Sequence, residues 1–317
     1  METAFYAFGT FNSIQIDTPL PDSRQRDILA RCFGMASGLD DLLSAFKPGS
    51  EISAIAQNAG VRPVKVSDVT LALLERALYF SRVSFGAFDV TVRPALKLWK
   101  FGDPAQRLPS DDECRRAADL VNYRDLVLDS QNRTAYLKRR GQGIDLGGIA
   151  KGYAADLIAG ELRNEGVACA LLNFGGTICT IGTKQDGSPR RIGIQNPLEQ
   201  RGRIVGSIPL ADGALVTSAV NERSFIKDGV RFHHLLDPRT CFPARSGVLS
   251  VSAAGTCAED LDALTTALFV LGPERGIPLA DRLHTDALFL MEGGDMLGTE
   301  GFATGRYQFT AKTGTAI

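Results

Sequence analysis

The sequence predicts an α+β fold with a largely antiparallel sheet. Apolar residues recur at helical spacing in a few segments, whereas short strand patterns follow one another from about residue 124 onward. Asp228-Gly229 separates two of these patterns by two residues, which is a strong signal of a β-hairpin. Strands joined by such short connections pair antiparallel, so this mixture of helices and strands indicates the α+β class.

The helices are predicted from their apolar spacing and their start signals. The first covers 21–46 and begins with the start signals at 21–23. A short helix begins at Glu51 after a Pro-Gly-Ser break, and a longer one follows Ser67. Further helices are predicted at 110–119, directly after the glycine pair at 147–148, at 258–271 and at 273–283.

The strands are predicted from short runs bounded by turn signals. Ahead of them, GAFDVTVRPALKLWKFG at 86–102 predicts a glycine turn that leads into a β-branched run. Near the end, DALFLM at 286–291 and the Gly293-Gly294 turn predict a strand and a last partner strand. The other strand patterns are DLVLD (125–129), TAYLKR (134–139), ACALLNF (168–174), TICTIGT (177–183), RRIGIQ (190–195), GRIVGSIPL (202–210), RSFIK (223–227) and VRFHHLL (230–236).

The composition favours one large unit that binds a ligand in a cleft. The chain has 317 residues, 44% of them hydrophobic, which is enough for about two domains. No linker, repeat or low-complexity segment divides it, so we expect residues 1–317 to form one unit of interleaved lobes. The 33 glycines follow no repeat period and are typical of tight turns and of close backbone approach to a ligand.

Charge and cysteine usage exclude several classes of partner and site. The 35 Lys and Arg residues balance 36 Asp and Glu residues, so we expect no nucleic-acid partner. No long apolar run and no basic-then-apolar leader is present, so we expect no membrane insertion and a cytoplasmic location. The six cysteines form no CxxC pair and no zinc spacing, which predicts buried thiols in a reducing compartment.

The segment GIDLGGIAKG at 143–152 is the most informative for chemistry. Asp145 ends a short apolar run, the glycine pair allows close backbone approach, and Lys151 lies in the first turn of the following helix. Exposed N–H groups at a helix start together with one ammonium group can hold a diphosphate. The alternative is that Gly147 and Gly148 only permit tight packing of the helix.

Asp262 and Thr266 lie in the largely apolar segment 257–272, which contains the helix predicted at 258–271. Asp262 and Thr266 are four residues apart, so they project from one helical face. A carboxylate and a hydroxyl are hard oxygen donors of the kind that Mg²⁺ prefers. The alternative is an ordinary helix charge beside a threonine that bonds back to its own helix.

The adjacent histidines of FHHLLDPRTCFPA at 232–244 are another candidate. On a strand they face opposite ways, so only one of them points into a cleft. A histidine in a cleft can take a proton from an attacking hydroxyl, but a surface position beside the turn explains this pair equally well. Asp89 likewise either serves a site or caps its own glycine turn.

In this order, the motifs resemble those of the FAD:protein FMN transferase family, the ApbE-like flavin transferases. The resemblance extends from residue 5 to about residue 290. The segments that carry it are Phe8-Gly9-Thr10, SEIS (50–53), GAFDVTVRPALKLWKFG (86–102), DLGGIAKGYAAD (145–156), LLNFGG (171–176), HHLLDPRT (233–240) and DALTTALFVLG (262–272).

The resemblance implies a magnesium-dependent enzyme that transfers the FMN moiety of FAD to a Ser or Thr hydroxyl of an acceptor protein and releases AMP. It implies that Mg²⁺ lies between the Gly148 carbonyl and the side chains of Asp262, also a catalytic position, and Thr266. His234 corresponds to the family's histidine close to the reacting centre. The implied fold is a pair of T-fold-type α+β lobes with a nucleotide groove between them. The positions that correspond to FAD contacts are Phe8, Phe46, Ala87, Phe88, Asp89, Asp145, Lys151 and Leu235.

Four positions depart from the family's pattern. Cys241 stands where the family usually has Gly, Ala56 where it has Asn, Phe8 where it has Met, and Ala219 where a Ser-Gly pair is usual. A side chain at Cys241 predicts modest strain, because the turn there favours a positive φ. Two alternative functions stay open, namely an FAD pyrophosphatase that yields FMN and AMP, and a non-catalytic FAD-binding protein.

Overall fold

An eight-stranded antiparallel sheet is the largest element of the computed structural model, which describes residues 1–312. The strands are β1 (Glu2–Ala7), β2 (Thr10–Ile16), β3 (Val64–Lys65), β4 (Leu126–Asp129), β5 (Thr134–Leu137), β6 (Ala170–Phe174), β7 (Thr177–Ile181), β8 (Arg190–Gln195), β9 (Ile204–Leu210), β10 (Gly213–Ala219), β11 (Ser224–Lys227), β12 (Val230–His233), β13 (Val248–Gly255), β14 (Asp286–Met291), β15 (Met296–Gly298) and β16 (Thr310–Ala311). The large sheet has the order β1-β2-β6-β7-β10-β13-β14-β15. Smaller sheets have the orders β16-β9-β8, β3-β5-β4 and β11-β12.

The described residues form eight α-helices, and the three longest that contact the large sheet are α1, α6 and α7. They are α1 (Asp22–Leu43), α2 (Glu51–Gln57), α3 (Asp68–Val83), α4 (Arg93–Trp99), α5 (Asp111–Ala118), α6 (Ala150–Asn164), α7 (Ala258–Arg282) and α8 (Glu300–Ala303). Helices α1, α6 and α7 contact strands of the large sheet, where Ile14 and Phe174 are fully buried. Helix α6 also lies against α7, and this helix pair positions the candidate site.

The predicted α+β class with antiparallel sheets is confirmed. Every strand pair in the described residues is antiparallel. Asp228 and Gly229 have φ values of 51° and 76°, as a two-residue hairpin turn between β11 and β12 requires. The division into two lobes stays a prediction, and the last five residues of the predicted 1–317 unit lie outside the described residues.

Some local predictions were wrong. The β-branched run within 86–102 forms turns and then α4 rather than a strand, because Pro94 at the second helical position favours a helix start. Six strands were not predicted, namely β1, β2, β3, β10, β13 and β16. The late helices were predicted correctly, and Gly272 (φ 70°) forms the kink between them.

A second, smaller core surrounds Trp99. This side chain is fully buried and stacks on the Phe101 ring, and its ring centroid lies 5.5 Å from that of Phe232. Its indole N–H donates a 2.8 Å hydrogen bond to the Cys241 carbonyl. Cys241 has φ 58°, so the expected positive φ is present at a residue that carries a side chain.

The six cysteines differ in burial. Cys32, Cys114, Cys179 and Cys241 are buried free thiols, as expected, but Cys169 and Cys257 are only partly buried. Both lie at element boundaries, just before β6 and α7, where the backbone is less covered.

Among the described residues, no helix combines the length and apolar character needed to cross a membrane.

Candidate active site

The centre of the site is a carboxylate on α7 that faces the start of α6. The ammonium nitrogen of Lys151 lies 3.1 Å and 3.2 Å from the two carboxylate oxygens of Asp262, and 2.7 Å from the Gly147 carbonyl oxygen. The backbone N–H of Gly152 also donates to Asp262 at 3.1 Å. The Asp262 side chain is 4% exposed, so its charge is held by these groups rather than by bulk water.

Thr266 lies one helical turn beyond Asp262 and contacts the glycine bend. A Cβ added at Gly148 would lie 3.1 Å from the Thr266 Oγ1 and 3.2 Å from the Phe88 ring. The Thr266 hydroxyl donates weakly, at 3.4 Å, to the Asp262 carbonyl. The predicted trio of Gly148, Asp262 and Thr266 is therefore brought together in space.

Gly152 makes the close approach of α6 and α7 possible. A Cβ at this position would lie 2.2 Å from the Ala258 carbonyl oxygen, which no packing adjustment of a side chain can relieve. Asp156, one turn further along α6, accepts the N–H groups of Ala258 and Glu259 at 3.0 Å and 2.9 Å. It thereby caps the start of α7, and the two helices are locked in the register that places Asp262 beside Lys151.

Asp145 is held in place by two contacts. Its Oδ1 accepts the Gly147 N–H at 3.0 Å, and its Oδ2 pairs with the Arg93 guanidinium at 3.2 Å. The same guanidinium lies under the Phe46 ring, 4.0 Å from its centroid. Phe46 is 71% exposed, so its other face is open to solvent. Arg93 was given no role from the sequence; the available signal was an arginine directly before Pro94 in a largely apolar segment.

Phe8 lies at the turn between β1 and β2, on the rim of the same region. Its N–H donates to the Asp40 carboxylate at 3.0 Å, and Asp40 also pairs with Lys47. The turn is thus tied to the loop that carries Phe46. Phe8 has φ 55°, a left-handed conformation that the tight β1–β2 connection requires.

Asp89 uses its side chain within its own turn. Its Oδ1 accepts the N–H and the hydroxyl of Thr91, and its Oδ2 accepts the Tyr123 N–H at 2.9 Å. Ala87 and Phe88 are each 4% exposed. Burial, opposed by these hydrogen bonds, raises the pKa of the Asp89 carboxyl above its ordinary value. The side chain therefore caps the turn, and a contact of this segment with FAD stays a prediction.

The SEIS motif has a structural role. The Ser50 hydroxyl accepts the Ser53 N–H and caps α2. The Glu51 carboxylate accepts both the N–H and the hydroxyl of Ser67, the N-cap residue of α3, at 2.9 Å. The motif thus joins two helix starts.

The two histidines differ in exposure, although burial lowers the pKa of both. His233 is 7% exposed and packs edge-on against Phe269, and burial lowers its pKa to about 4. His234 follows the end of β12 and is partly exposed. Its backbone N–H donates to the Arg223 carbonyl at 3.1 Å. Burial of the imidazole and the positive charges of Arg223 and Lys151 lower the pKa of His234 to about 3.

With its pKa lowered in this way, the His234 imidazole is uncharged at neutral pH. The Nδ1 of each histidine is buried and has no hydrogen-bond partner in the described residues. Leu235, which follows, is 6% exposed and pairs through its carbonyl with the Ala244 N–H.

The donor chemistry of this region fits a hard divalent cation. The Asp262 carboxylate and the Thr266 hydroxyl lie on one helix beside the Gly148 bend, and the Asp262 carboxylate accepts a hydrogen bond from the Lys151 ammonium. In residues 1–312, no group of three His, Cys, Asp or Glu side chains is arranged around a metal position. A set with one carboxylate suits Mg²⁺ that shares its coordination with phosphate oxygens and water.

Sequence comparisons link the chain to proteins of one kind. The sequence profile of the ApbE family matches residues 8–289. An FAD:protein FMN transferase of Klebsiella pneumoniae (strain 342) is 33% identical over 276 residues, 87% of this chain and 85% of the relative. The FAD:protein FMN transferase of Treponema pallidum (strain Nichols) is 34% identical over 296 residues, 89% of this chain and 82% of the relative.

Solved structures agree with the sequence comparisons. The ApbE protein of Thermotoga maritima MSB8 superposes with a TM-score of 0.89 and 31% identity, covering 97% of this chain and 99% of the other. The flavin transferase ApbE of Vibrio cholerae superposes with a TM-score of 0.85 and 29% identity, covering 95% and 97%. With the profile match across most of its length, the chain belongs to the ApbE family.

Proposed function

We propose that this chain is a flavin transferase, which moves the FMN moiety of FAD onto a Ser or Thr hydroxyl of an acceptor protein and releases AMP. The observation that carries the proposal is the contact of Lys151 and the Gly148 bend with Asp262 and Thr266, in a chain of the ApbE family. The named relatives that cover most of the chain are FAD:protein FMN transferases, which supports the same reaction.

Mg²⁺ would be held by the Gly148 carbonyl, the Asp262 carboxylate and the Thr266 hydroxyl. When bound, the ion supplies neutralisation and alignment of the diphosphate. Lys151 adds a second positive charge from the first turn of α6, where the helix start also favours anions. Since phosphoryl transfer depends chiefly on charge stabilisation and alignment, these groups meet its main requirement.

The flavin end of FAD would extend towards Phe46 and Phe8. Phe46 offers an open ring face, and Phe88 packs beside the Gly148 bend. Asp145 fixes the Gly147 N–H and hence the bend itself. Ala87, Asp89 and Leu235 would border the groove with their backbone, because their side chains are buried.

The acceptor hydroxyl would attack the phosphorus of the FMN phosphate. A new ester bond forms there, the bridging P–O bond breaks, and the bridging oxygen leaves with AMP. The uncharged imidazole of His234 can accept the hydroxyl proton. Its low pKa makes it a weak base in the free protein, and the negative diphosphate placed beside it would raise that pKa. We expect the acceptor to be cytoplasmic, in line with the location predicted from the sequence.

Incubation of the protein with FAD, MgCl₂ and a cell lysate tests the proposal. We expect a fluorescent acceptor band in a denaturing gel, together with one AMP per flavin attached. Free FMN and AMP without any labelled band would identify a pyrophosphatase. Tight FAD binding without any magnesium-dependent product would identify a binding protein, and either result would overturn the proposed transfer.

A further inference from the structure

We propose that Arg93 is a positioning residue for the flavin end of FAD, acting through the Phe46 ring. This inference rests on the proposed function, because it concerns how the same site holds FAD. Arg93 begins α4 and touches neither Lys151 nor Asp262 through any hydrogen bond. Nothing in the sequence motifs gave it a role.

Three contacts fix the Arg93 guanidinium. Its Nη1 donates to the Asp145 carboxylate at 3.2 Å, its Nη2 donates to the Ala45 carbonyl at 3.1 Å, and its central carbon lies 4.0 Å from the Phe46 ring centroid. The group thus binds the backbone next to Phe46, the ring of Phe46 and the carboxylate that orders the glycine bend.

The burial of Arg93 shows that these contacts are not ordinary surface pairing. The residue is 8% exposed, and its Nε is a buried donor with no partner in the described residues. A buried guanidinium with an unpaired N–H is costly to the fold compared with an apolar side chain of similar size. The arrangement is therefore poorly explained by core stability alone.

The contacts of Phe46 explain what Arg93 provides. The ring is 71% exposed and lies in the loop after α1, so little core packing restrains it. The guanidinium covers its inner face and leaves the outer face free. A ring held in this way presents a fixed surface on which a planar aromatic ligand can stack. Asp145 accepts from the same guanidinium and from the Gly147 N–H, so one set of contacts connects the ring to the Gly147–Gly148 bend.

The ligand class that fits both the exposed Phe46 ring and the glycine bend is a dinucleotide with a large planar ring beyond its diphosphate. FAD has this form, whereas ADP carries a diphosphate but no flavin. We therefore expect Arg93 to affect the affinity for FAD more strongly than the affinity for ADP.

The test compares Arg93→Met, which keeps the apolar stem, with the wild type in the presence of MgCl₂. We expect FAD affinity to fall about tenfold and ADP affinity by less than about threefold. KM for FAD should rise while kcat for transfer stays near the wild-type value, since Arg93 contacts no reacting atom. Phe46→Ala should weaken FAD binding similarly, and the double variant should be no weaker than either single one.

Arg76→Met is the matched control. Arg76 also stacks on aromatic rings, 4.6 Å from the Tyr79 centroid, and pairs with a carboxylate, Asp260, but it lies between α3 and α7 away from Phe46. The Arg76→Met variant should have the same ratio of FAD affinity to ADP affinity as the wild type. If Arg93→Met does not fold, Arg93→Lys carries the test, because it keeps the charge but loses the planar stacking group.

Equal losses for FAD and ADP, or additive effects of Arg93→Met and Phe46→Ala, would overturn the proposal and leave Arg93 a structural residue. Failure of the proposed function is visible separately, because the wild-type protein would then bind no FAD or yield no labelled acceptor.

Discussion

Lys151 and Asp262 form a contact of 3.1 Å between residues that are 111 positions apart in the chain. One belongs to the first turn of α6 and the other to the second turn of α7. The carboxylate also accepts the Gly152 N–H, so its orientation depends on how the two helices pack rather than on its own helix alone. The charge distribution of the candidate site is therefore a property of the α6–α7 interface.

Asp262→Asn should abolish most of the transfer while the fold survives. The amide oxygen can still accept the Gly152 N–H, but the negative charge that faces Lys151 and the metal position is lost. We expect the rate of acceptor labelling to fall about 100-fold or more at any MgCl₂ concentration. Asp260→Asn is the control, because Asp260 pairs with Arg76 and should change stability rather than transfer. Wild-type labelling by Asp262→Asn would contradict the proposed metal ligand.

Two glycines of α6 should respond to alanine in opposite directions. At Gly152 a Cβ would lie 2.2 Å from the Ala258 carbonyl oxygen, so Gly152→Ala should lower the free energy of unfolding by about 1–3 kcal/mol and disturb transfer. At Gly160 nothing lies within 4 Å, so Gly160→Ala should raise it by about 0.5–1 kcal/mol. Urea unfolding measures both, and equal effects would show that α6 and α7 are not closely packed at Gly152.

The sequence predicted the parts of the site that depend on local spacing. Asp262 and Thr266 were placed on one helical face by their separation of four residues, and Lys151 on a first helical turn by the glycines before it. The contact between these helices could not be predicted, because it depends on Gly152 meeting Ala258 across the fold. The strand β13 was missed for a related reason. Nearly all its residues are buried, so it lacks the alternation that marks a strand with one exposed face.

Carboxylates illustrate the same limit. Asp89 and Asp145 both end glycine-containing segments, yet Thr91 and Tyr123 occupy the Asp89 oxygens whereas Arg93 and Gly147 hold Asp145 beside the bend. Each carboxylate also binds the residue two positions later, so the local context does not distinguish them; the partners that do, Tyr123 and Arg93, are distant in sequence.

Glu259→Gln should stabilise the protein at high pH. Burial, together with the nearby negative charges of Asp260 and Asp156, raises the pKa of Glu259 to about 7. The folded state therefore binds more protons than the unfolded state between about pH 4.5 and pH 7, and stability falls as the pH rises through this window. The neutral glutamine escapes this loss.

We expect Glu259→Gln to gain about 1 kcal/mol at pH 8, allowing for solvent screening, and nothing below about pH 4.5. Glu274→Gln, at an exposed position of the same helix, should have little effect at either pH. Urea unfolding at pH 4 and pH 8 measures the difference, and a gain that does not depend on pH would show that folding does not raise the pKa of Glu259.

His234→Asn should reduce transfer by about 100-fold or more while FAD still binds, because the variant lacks a group that can take the hydroxyl proton.

The pKa of His234 is lowered to about 3 mainly by burial, so the imidazole of the free protein stays uncharged from pH 5 to pH 8. Between about pH 6.5 and pH 3 the unfolded state binds more protons at this residue, and the fold loses stability as the pH falls through that window. His234→Asn removes this loss, so the variant should be less sensitive to acid, by about 1–2 kcal/mol at pH 5 relative to pH 7. Unfolding and acceptor labelling, measured across pH 5 to 8, check both effects. Undiminished labelling by His234→Asn would exclude the imidazole as the base, whereas unchanged acid sensitivity would show that His234 titrates normally in the fold.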